Sequence, residues 1–564
     1  MEQGYCLLTA GSNSGGQLGI GHVDDAHCWT PASSSPTHLG SGGTSVDPFP
    51  PPGYRIIKLA SGANHSIALL QPIDEHPGSG ADNQRFTVWC TGETVQGQLG
   101  QAALELAKLR PRWMPLCLEQ ELRTANKGLG NAKDGVNAQV ISAQESSAVD
   151  VACSWNASFI VLRASRSADL ASPVHSDVIL ALGTLKDNAF GELGLSDKPG
   201  ATPDSEHAAR ILNLGDLVQT GPLRIERITA GLRHVVVLAS SHQSGIQYMH
   251  LIGWGAARHG QLGSFSATEP LGTQASASRP RTGSKSTASS SPRTSTPRVI
   301  RTWCCRCKPK SDEPDAPHGS FSLAAGREHT VVSIAAGWQE ASDPIPPSET
   351  LRVRVWGSDR RGQRTVADVN FCESVTLSVA ATWDSTFLLC EGEGVEAGEE
   401  KMQILACGSN ARGQLGSVQD EDASLTSSKK VQQVALPAHI SSSSEQSCRM
   451  SAGSEHVLLL CEARIASAGR AGPAEVWAWG WNEHGNLALG GSISPNLHRE
   501  QLEPSTIAVE EQQEGEDQPV PVKVWPSRLE GSVESAETQW AHARATNVWA
   551  GCGTSFVQVH LTKA

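Results

Sequence analysis

Histidine changes charge near neutral pH, so its placement shows first where proton-transfer chemistry could occur. In this chain it recurs. The pattern Ala-Gly-x-x-His, with variations and followed by an apolar run, places a histidine at His65, His234, His329 and His456. Three further copies hold Ala157, Ser385 and Thr554 at that position. A proton-transfer histidine is needed once, in one special setting. A residue that recurs, and is dispensable in three copies, reads as a structural hydrogen-bonding group.

The remaining chemistry-bearing residues point the same way. Cys304-Cys305-Arg306-Cys307 contains one Cys-x-x-Cys. A structural zinc site needs four ligands, no second cysteine pair lies near, and His318 is the one close histidine, so a plain loop is favoured. No phosphate-binding P-loop, no Gly-x-Ser-x-Gly elbow and no zinc-protease helix pattern occurs. The glycine-rich stretches are strand turns, since no helix pattern follows them. The expectation is a non-enzyme with no cofactor and no metal.

Copies that break the pattern are more informative. Trp155 and Trp383 stand two residues before Ala157 and Ser385, where other copies carry Ala, Leu, Arg, Ser or Cys. Trp481 and His484 share another turn. Binding surfaces are commonly built on loops held by a rigid scaffold, and tryptophan is enriched at interface hot spots. The alternative is that each tryptophan packs between neighbouring units. Trp155, Trp383, Asp384, Trp481, Glu483 and His484 form the candidate partner-binding set.

These residues sit on a repeat. A first motif, Gly-x-x-x-x-Gly-Gln-Leu-Gly with variations, begins near Gly11, Gly92, Gly183, Gly253, Gly357, Gly408 and Gly480. It alternates with seven copies of the histidine motif: 60–70, 152–162, 229–238, 324–334, 380–390, 451–460 and 549–559. The apolar segments are short, β-rich and bounded by glycine, with almost no helical periodicity. Seven units of about four strands close most simply as an all-β, seven-bladed β-propeller, one domain over 1–564. The chain begins on a first-motif half and ends on a second-motif half, so one blade is expected to use both termini.

Between the motifs lie long polar insertions, expected to be disordered surface loops. Residues 31–53 are rich in Ser, Pro and Gly, and 101–147 carry a short helix expected around 102–109. Residues 264–320 form a basic, Ser-rich insertion with Arg279, Arg281, Lys285, Arg293, Arg298 and Arg301; Ser291-Pro292 and Thr296-Pro297 are candidate phosphorylation sites. Stretches 391–401, 417–447 and 491–545 are acidic or polar. Net charge is −13, which argues against coating nucleic acid. No apolar run is long enough to span a bilayer. The 14 cysteines are mostly single and set in apolar strands, consistent with reduced thiols in a cytoplasmic or nuclear protein.

At the paired motifs the chain resembles the regulator-of-chromosome-condensation repeat family of seven-bladed propellers. Three stretches, 149–158, 477–486 and 548–557, are similar to the alpha-tubulin-suppressor (killer-toxin-insensitivity) branch found in fungi. That resemblance implies binding of a small zinc/iron electron-carrier protein. It implies, through that partner, a role in diphthamide synthesis and in Elongator-dependent modification of wobble uridine in tRNA. The family's founding role implies the alternative, guanine-nucleotide exchange on a Ran-like small GTPase. A photoreceptor branch repeats Gly-Trp-Arg-His-Thr, which is absent here.

Overall fold

The computed structural model describes residues 4–35, 47–73, 86–101, 103, 111–129, 146–164, 175–194, 209–263, 293–305, 321–334, 337–341, 352–368, 376–393, 400–417, 428–441, 446–463, 474–490, 516–525 and 543–561. Seven antiparallel sheets form a ring of blades, a seven-bladed β-propeller.

Blade 1 runs outward as Tyr54–Ser61, His65–Pro72, Thr87–Gly92 and Met114–Pro115. Blade 2 is Ser146–Cys153, Ser158–Ala164, Val178–Leu182 and Arg210–Asn213. Blade 3 is Arg224–Ala230, His234–Gln243, Ile246–Ala256 and Arg293–Cys305, with Gln339–Glu340 added at its edge. Blade 4 shows three strands among the described residues: Ser322–Ala325, His329–Ile334 and Arg352–Gly357. Blade 5 is Thr376–Ala381, Ser385–Glu393, Glu400–Gly408 and Ser428–Gln433. Blade 6 is Gln446–Ala452, His456–Ala463, Ala474–Gly480 and Gln518–Trp525.

Blade 7 bears out the expectation of shared termini. Ala543–Ala550 and Thr554–Leu561 supply its inner half, and Gly4–Gly11 and Ala26–Pro31 its outer half. The two ends pair without a break from Gly4↔Leu561 to Gly11↔Thr554. The Trp29 indole donates to the Val524 carbonyl at 3.0 Å, tying this blade to blade 6.

Burial explains why the second strand of each blade reads as a continuous apolar run. Side chains alternate between the two sheet faces, and here both faces are covered by neighbouring blades. In Thr554–Leu561, Phe556 packs with Leu7, Leu59 and Ala68 toward blade 1, whereas Val557 and Val559 pack with Leu458 and Val476 of blade 6. Seven such apolar clusters among the described residues each straddle one pair of adjacent blades, so every junction of the ring has its own core.

The insertions are less uniformly irregular than the sequence suggests. Within 264–320, residues 293–305 are the outer strand of blade 3, with Trp303 buried and Arg301 paired to Glu340 at 3.1 Å. Within 491–545, Gln518–Trp525 is the outer strand of blade 6, and within 417–447, Ser428–Gln433 is that of blade 5. The helix of the 101–147 insertion lies at Leu118–Leu129, where Leu122 and Ala125 are buried; most of 102–109 lies outside the described residues. So do Arg279, Arg281, Lys285, Ser291, Pro292 and Cys307.

Candidate protein-docking face

Both motifs end on the same face of the ring. The histidine-motif turn joins the first strand of a blade to the second, and the third strand returns beside it and leads into the first-motif loop. Register places the motif glycine opposite the turn: Gly408 pairs with Ser385, and the next amide, of Ser409, donates to the Asp384 carbonyl at 2.9 Å. Gly408 has φ +122°, and a Cβ there would lie 2.3 Å from that carbonyl oxygen. Glycine is therefore required by both conformation and space.

The loop has its own logic. The Asn410 carboxamide oxygen accepts from the Leu415 amide at 2.8 Å, and the Gln414 carboxamide oxygen from the Arg412 amide at 2.7 Å. Leu415 is fully buried. The same arrangement holds at Asn13 and Leu18, and at Asn482 and Leu487. The Gln-Leu-Gly signature is thus a folding device.

So is the histidine. His234 Nε2 lies 3.1 Å from Thr330 Oγ1, His329 Nε2 3.0 Å from Thr386 Oγ1, and His456 Nε2 3.0 Å from Ser555 Oγ. Each bond crosses to the next blade. Burial pushes these imidazoles down to about 3, 4 and 4 respectively, so they are neutral staples. This agrees with the structural reading at His234, His329 and His456; the fourth copy, His65, is fully buried without such a bond to the next blade.

The turns form a belt around the mouth of a central channel of about 640 Å³ lined by the first strands of all seven blades. Ala63 donates to the Trp155 carbonyl, Trp155 to Leu232, Arg327 to Trp383, Trp383 to Ser454 and Ser454 to Gly551, at 2.7–3.1 Å. Trp155 belongs to blade 2 and Trp383 to blade 5, three blades apart. Their rings nevertheless meet, with centroids 6.0 Å apart and planes tilted by 45°. They reach across the channel mouth, and both are half-buried. Neither is wedged between two blades as a core tryptophan would be; Trp254 and Trp479, which are, are fully buried and donate to the Glu192 and Gln414 carbonyls.

Charge gathers on one side of this pair. The Arg327 guanidinium lies 5.9 Å from the centre of the Trp383 ring and donates to Asp384 at 2.6 Å. Burial raises the Asp384 carboxyl, while Arg327 and Arg361 pull it back down. Glu455 is pushed up to about 7, first by burial and then by the negative Asp384. The Gln414 carboxamide donates to it.

Trp481, Glu483 and His484 form a second patch on the same face. The Trp481 amide donates to the Glu455 carbonyl at 3.0 Å, which fixes the patch beside blade 6's turn. The Trp481 indole donates to Glu483 at 3.1 Å and meets the His484 ring edge-on at 5.3 Å; His484 Nδ1 lies 2.8 Å from Asp25. Arg412 covers the Trp481 ring at 6.0 Å and reaches Glu483 and Asp517 at 3.7 and 3.4 Å.

All six candidate residues therefore lie on one face, in two clusters with Glu455 between them. Arg327, Glu455, Arg412 and Asp25 complete the clusters and were not singled out from the sequence. Arg327 and Glu455 had a readable signal: they occupy the variable positions of the histidine motif, as Trp155, Trp383 and Asp384 do. Among the described residues no group of three or more His, Cys, Asp or Glu is placed to hold a metal ion.

No family model and no curated protein matches the chain. Solved structures do. Prp20p from Saccharomyces cerevisiae, studied for its binding to Gsp1p and histones, matches with TM-score 0.52 and 15% identity over 100% of this chain and 93% of its own. The yeast RCC1 (Prp20) bound to Kap60 matches with TM-score 0.50 and 15% identity, over 100% and 90%. Human WBSCR16 gives TM-score 0.49 and 14% identity, over 99% and 100%. At this identity the likeness is one of fold: a propeller of the kind seen in the chromosome-condensation regulator.

Proposed function

We propose that the chain is a non-enzymatic propeller scaffold that holds a protein partner against the face carrying Trp155 and Trp383. One observation carries this reading: two half-buried tryptophans from opposite sides of the ring meet over the channel mouth, flanked by an arginine and two burial-perturbed carboxylates. Aromatic residues and arginine dominate the energetic centres of protein interfaces, and a rigid ring spares the partner an ordering cost.

On the resemblance at 149–158, 477–486 and 548–557, the partner is the small zinc-containing electron carrier of diphthamide synthesis. The chain would then govern which client that carrier serves, diphthamide formation or Elongator-dependent tRNA modification, in the cytoplasm and nucleus. A second reading is favoured by the fold similarity to Prp20p, whose binding to Gsp1p makes a small GTPase the alternative partner, with nucleotide exchange as the activity. Two assays on the purified full chain separate them: direct binding of the purified zinc carrier, and nucleotide release from a Ran-type GTPase. Binding of the carrier without accelerated release is expected. Accelerated release would replace the first reading by the second, and inactivity in both would overturn the docking proposal for these partners.

A further inference from the structure

Blade 6 contains a feature that neither motif requires. Cys448, on the first strand, and Cys461, on the second, are directly opposed in the antiparallel ladder. Their sulfurs lie 2.8 Å apart. Both side chains are buried, in the apolar core between blades 5 and 6 with Phe387, Leu459 and Trp479.

We propose that Cys448 and Cys461 are a dithiol/disulfide site, oxidised reversibly by hydrogen peroxide. Opposed residues of antiparallel strands have Cα atoms roughly 4.5–5.5 Å apart. That lies within the span of about 4.4–6.8 Å that a disulfide bridges without backbone movement. Closing the bond needs only a turn of the two side chains. In the first step one sulfur attacks a peroxide oxygen. The O–O bond breaks, a sulfenic acid forms, and the departing hydroxide leaves as water with the thiol proton. In the second step the other sulfur attacks the sulfenic sulfur. The S–O bond breaks, the S–S bond forms, and a second water leaves. Two thiols have lost two electrons to one peroxide. A dithiol reductant reverses the change by exchange through a mixed disulfide.

The contrast with the other buried thiols sharpens the assignment. Burial pushes Cys90, Cys153, Cys390 and Cys407 up to about 12, and none faces a second sulfur at this distance. A neighbouring thiol turns a sulfenic acid into a disulfide before further oxidation. The hairpin so clamped carries Ser454 and Glu455 at its turn, although the cross-link itself does not depend on any partner docking there.

The test uses the reduced full-length protein. It is treated with hydrogen peroxide, denatured, alkylated and peptide-mapped, with exposed Cys117 as the internal gauge of oxidation. The expected result is one cross-linked peptide pair joining Cys448 to Cys461, lighter by two hydrogens and restored by dithiothreitol. Cys90, Cys390 and Cys407 should remain alkylatable. In Cys461→Ala, Cys448 should instead accumulate as sulfenic or sulfinic acid. The proposal is overturned if Cys448 and Cys461 both stay fully alkylatable at a dose that oxidises Cys117, or if either pairs with a different cysteine.

Discussion

Gly408→Ala tests how the motif glycine locks loop to turn. At φ +122° an alanine carries the left-handed strain, about 1–2 kcal/mol. The new methyl would also stand 2.3 Å from the Asp384 carbonyl oxygen and 2.6 Å from the Ser385 Cα, below the 3.0 Å that real Cβ atoms respect. Both neighbours are backbone, so the third strand or the turn must retreat by several tenths of an ångström. That retreat breaks the bond from the Ser409 amide, adding roughly 1–2 kcal/mol, for a total of about 2–4 kcal/mol. Gly245→Ala is the matched control. It lies at φ +76° in the tight turn after Gln243, and a methyl there would meet nothing within 4 Å, so it should show the conformational strain alone. Equilibrium urea unfolding of the two variants measures the difference. Gly408→Ala should be the less stable by at least about 1 kcal/mol. Equal destabilisation would refute the claim that close approach, and not conformation alone, fixes the glycine.

Three further outcomes are expected. Burial lowers His456 from 6.5 to about 4, so as pH falls below 6.5 the unfolded chain takes a proton that the folded chain refuses until about 4. Stability is lost across that window, by up to about 1.4 kcal/mol per pH unit, and His456→Gln should flatten the loss in urea titrations; an unchanged acid limb contradicts the neutral-staple assignment. Deleting 554–561 removes the strand that pairs with Gly4–Gly11 and with it Phe556, Val557 and Val559, and should abolish cooperative unfolding by circular dichroism; a transition like that of the full chain would contradict ring closure. Trp383→Ala should cost only about 0.5–1.5 kcal/mol, the worth of one ring contact, whereas Trp479→Ala should cost about 3–5 kcal/mol. Equal losses would make Trp383 a core residue.

The ring was legible because its signals are local and repeated. Glycines at φ above zero, a Gln-Leu-Gly or a variant of it that folds its own loop, and second strands buried on both faces leave a similar short pattern seven times. Outer strands left weaker traces. Gln518–Trp525 contains two prolines, which an edge strand tolerates because one row of its backbone groups has no partner strand, and Arg293–Cys305 follows a long polar stretch. The candidate site was half legible. Variable positions in a repeated turn drew attention to Trp155 and Trp383, but no spacing in the sequence shows that blades 2 and 5 bring their rings together. That follows only from the diameter of the closed ring. Arg327 and Glu455 hold charges at the same positions, and a lone charge in a turn looks like a solvated one until burial is known.

The central claim is that the turn face docks a protein. Titration of the purified zinc carrier against the wild-type chain and against Trp155→Ala/Trp383→Ala, with both shown folded by circular dichroism, tests it most directly. The account predicts a Kd at least about 30-fold weaker for the double variant, the loss of at least one hot spot of about 2 kcal/mol. Equal affinity of the two proteins would contradict it.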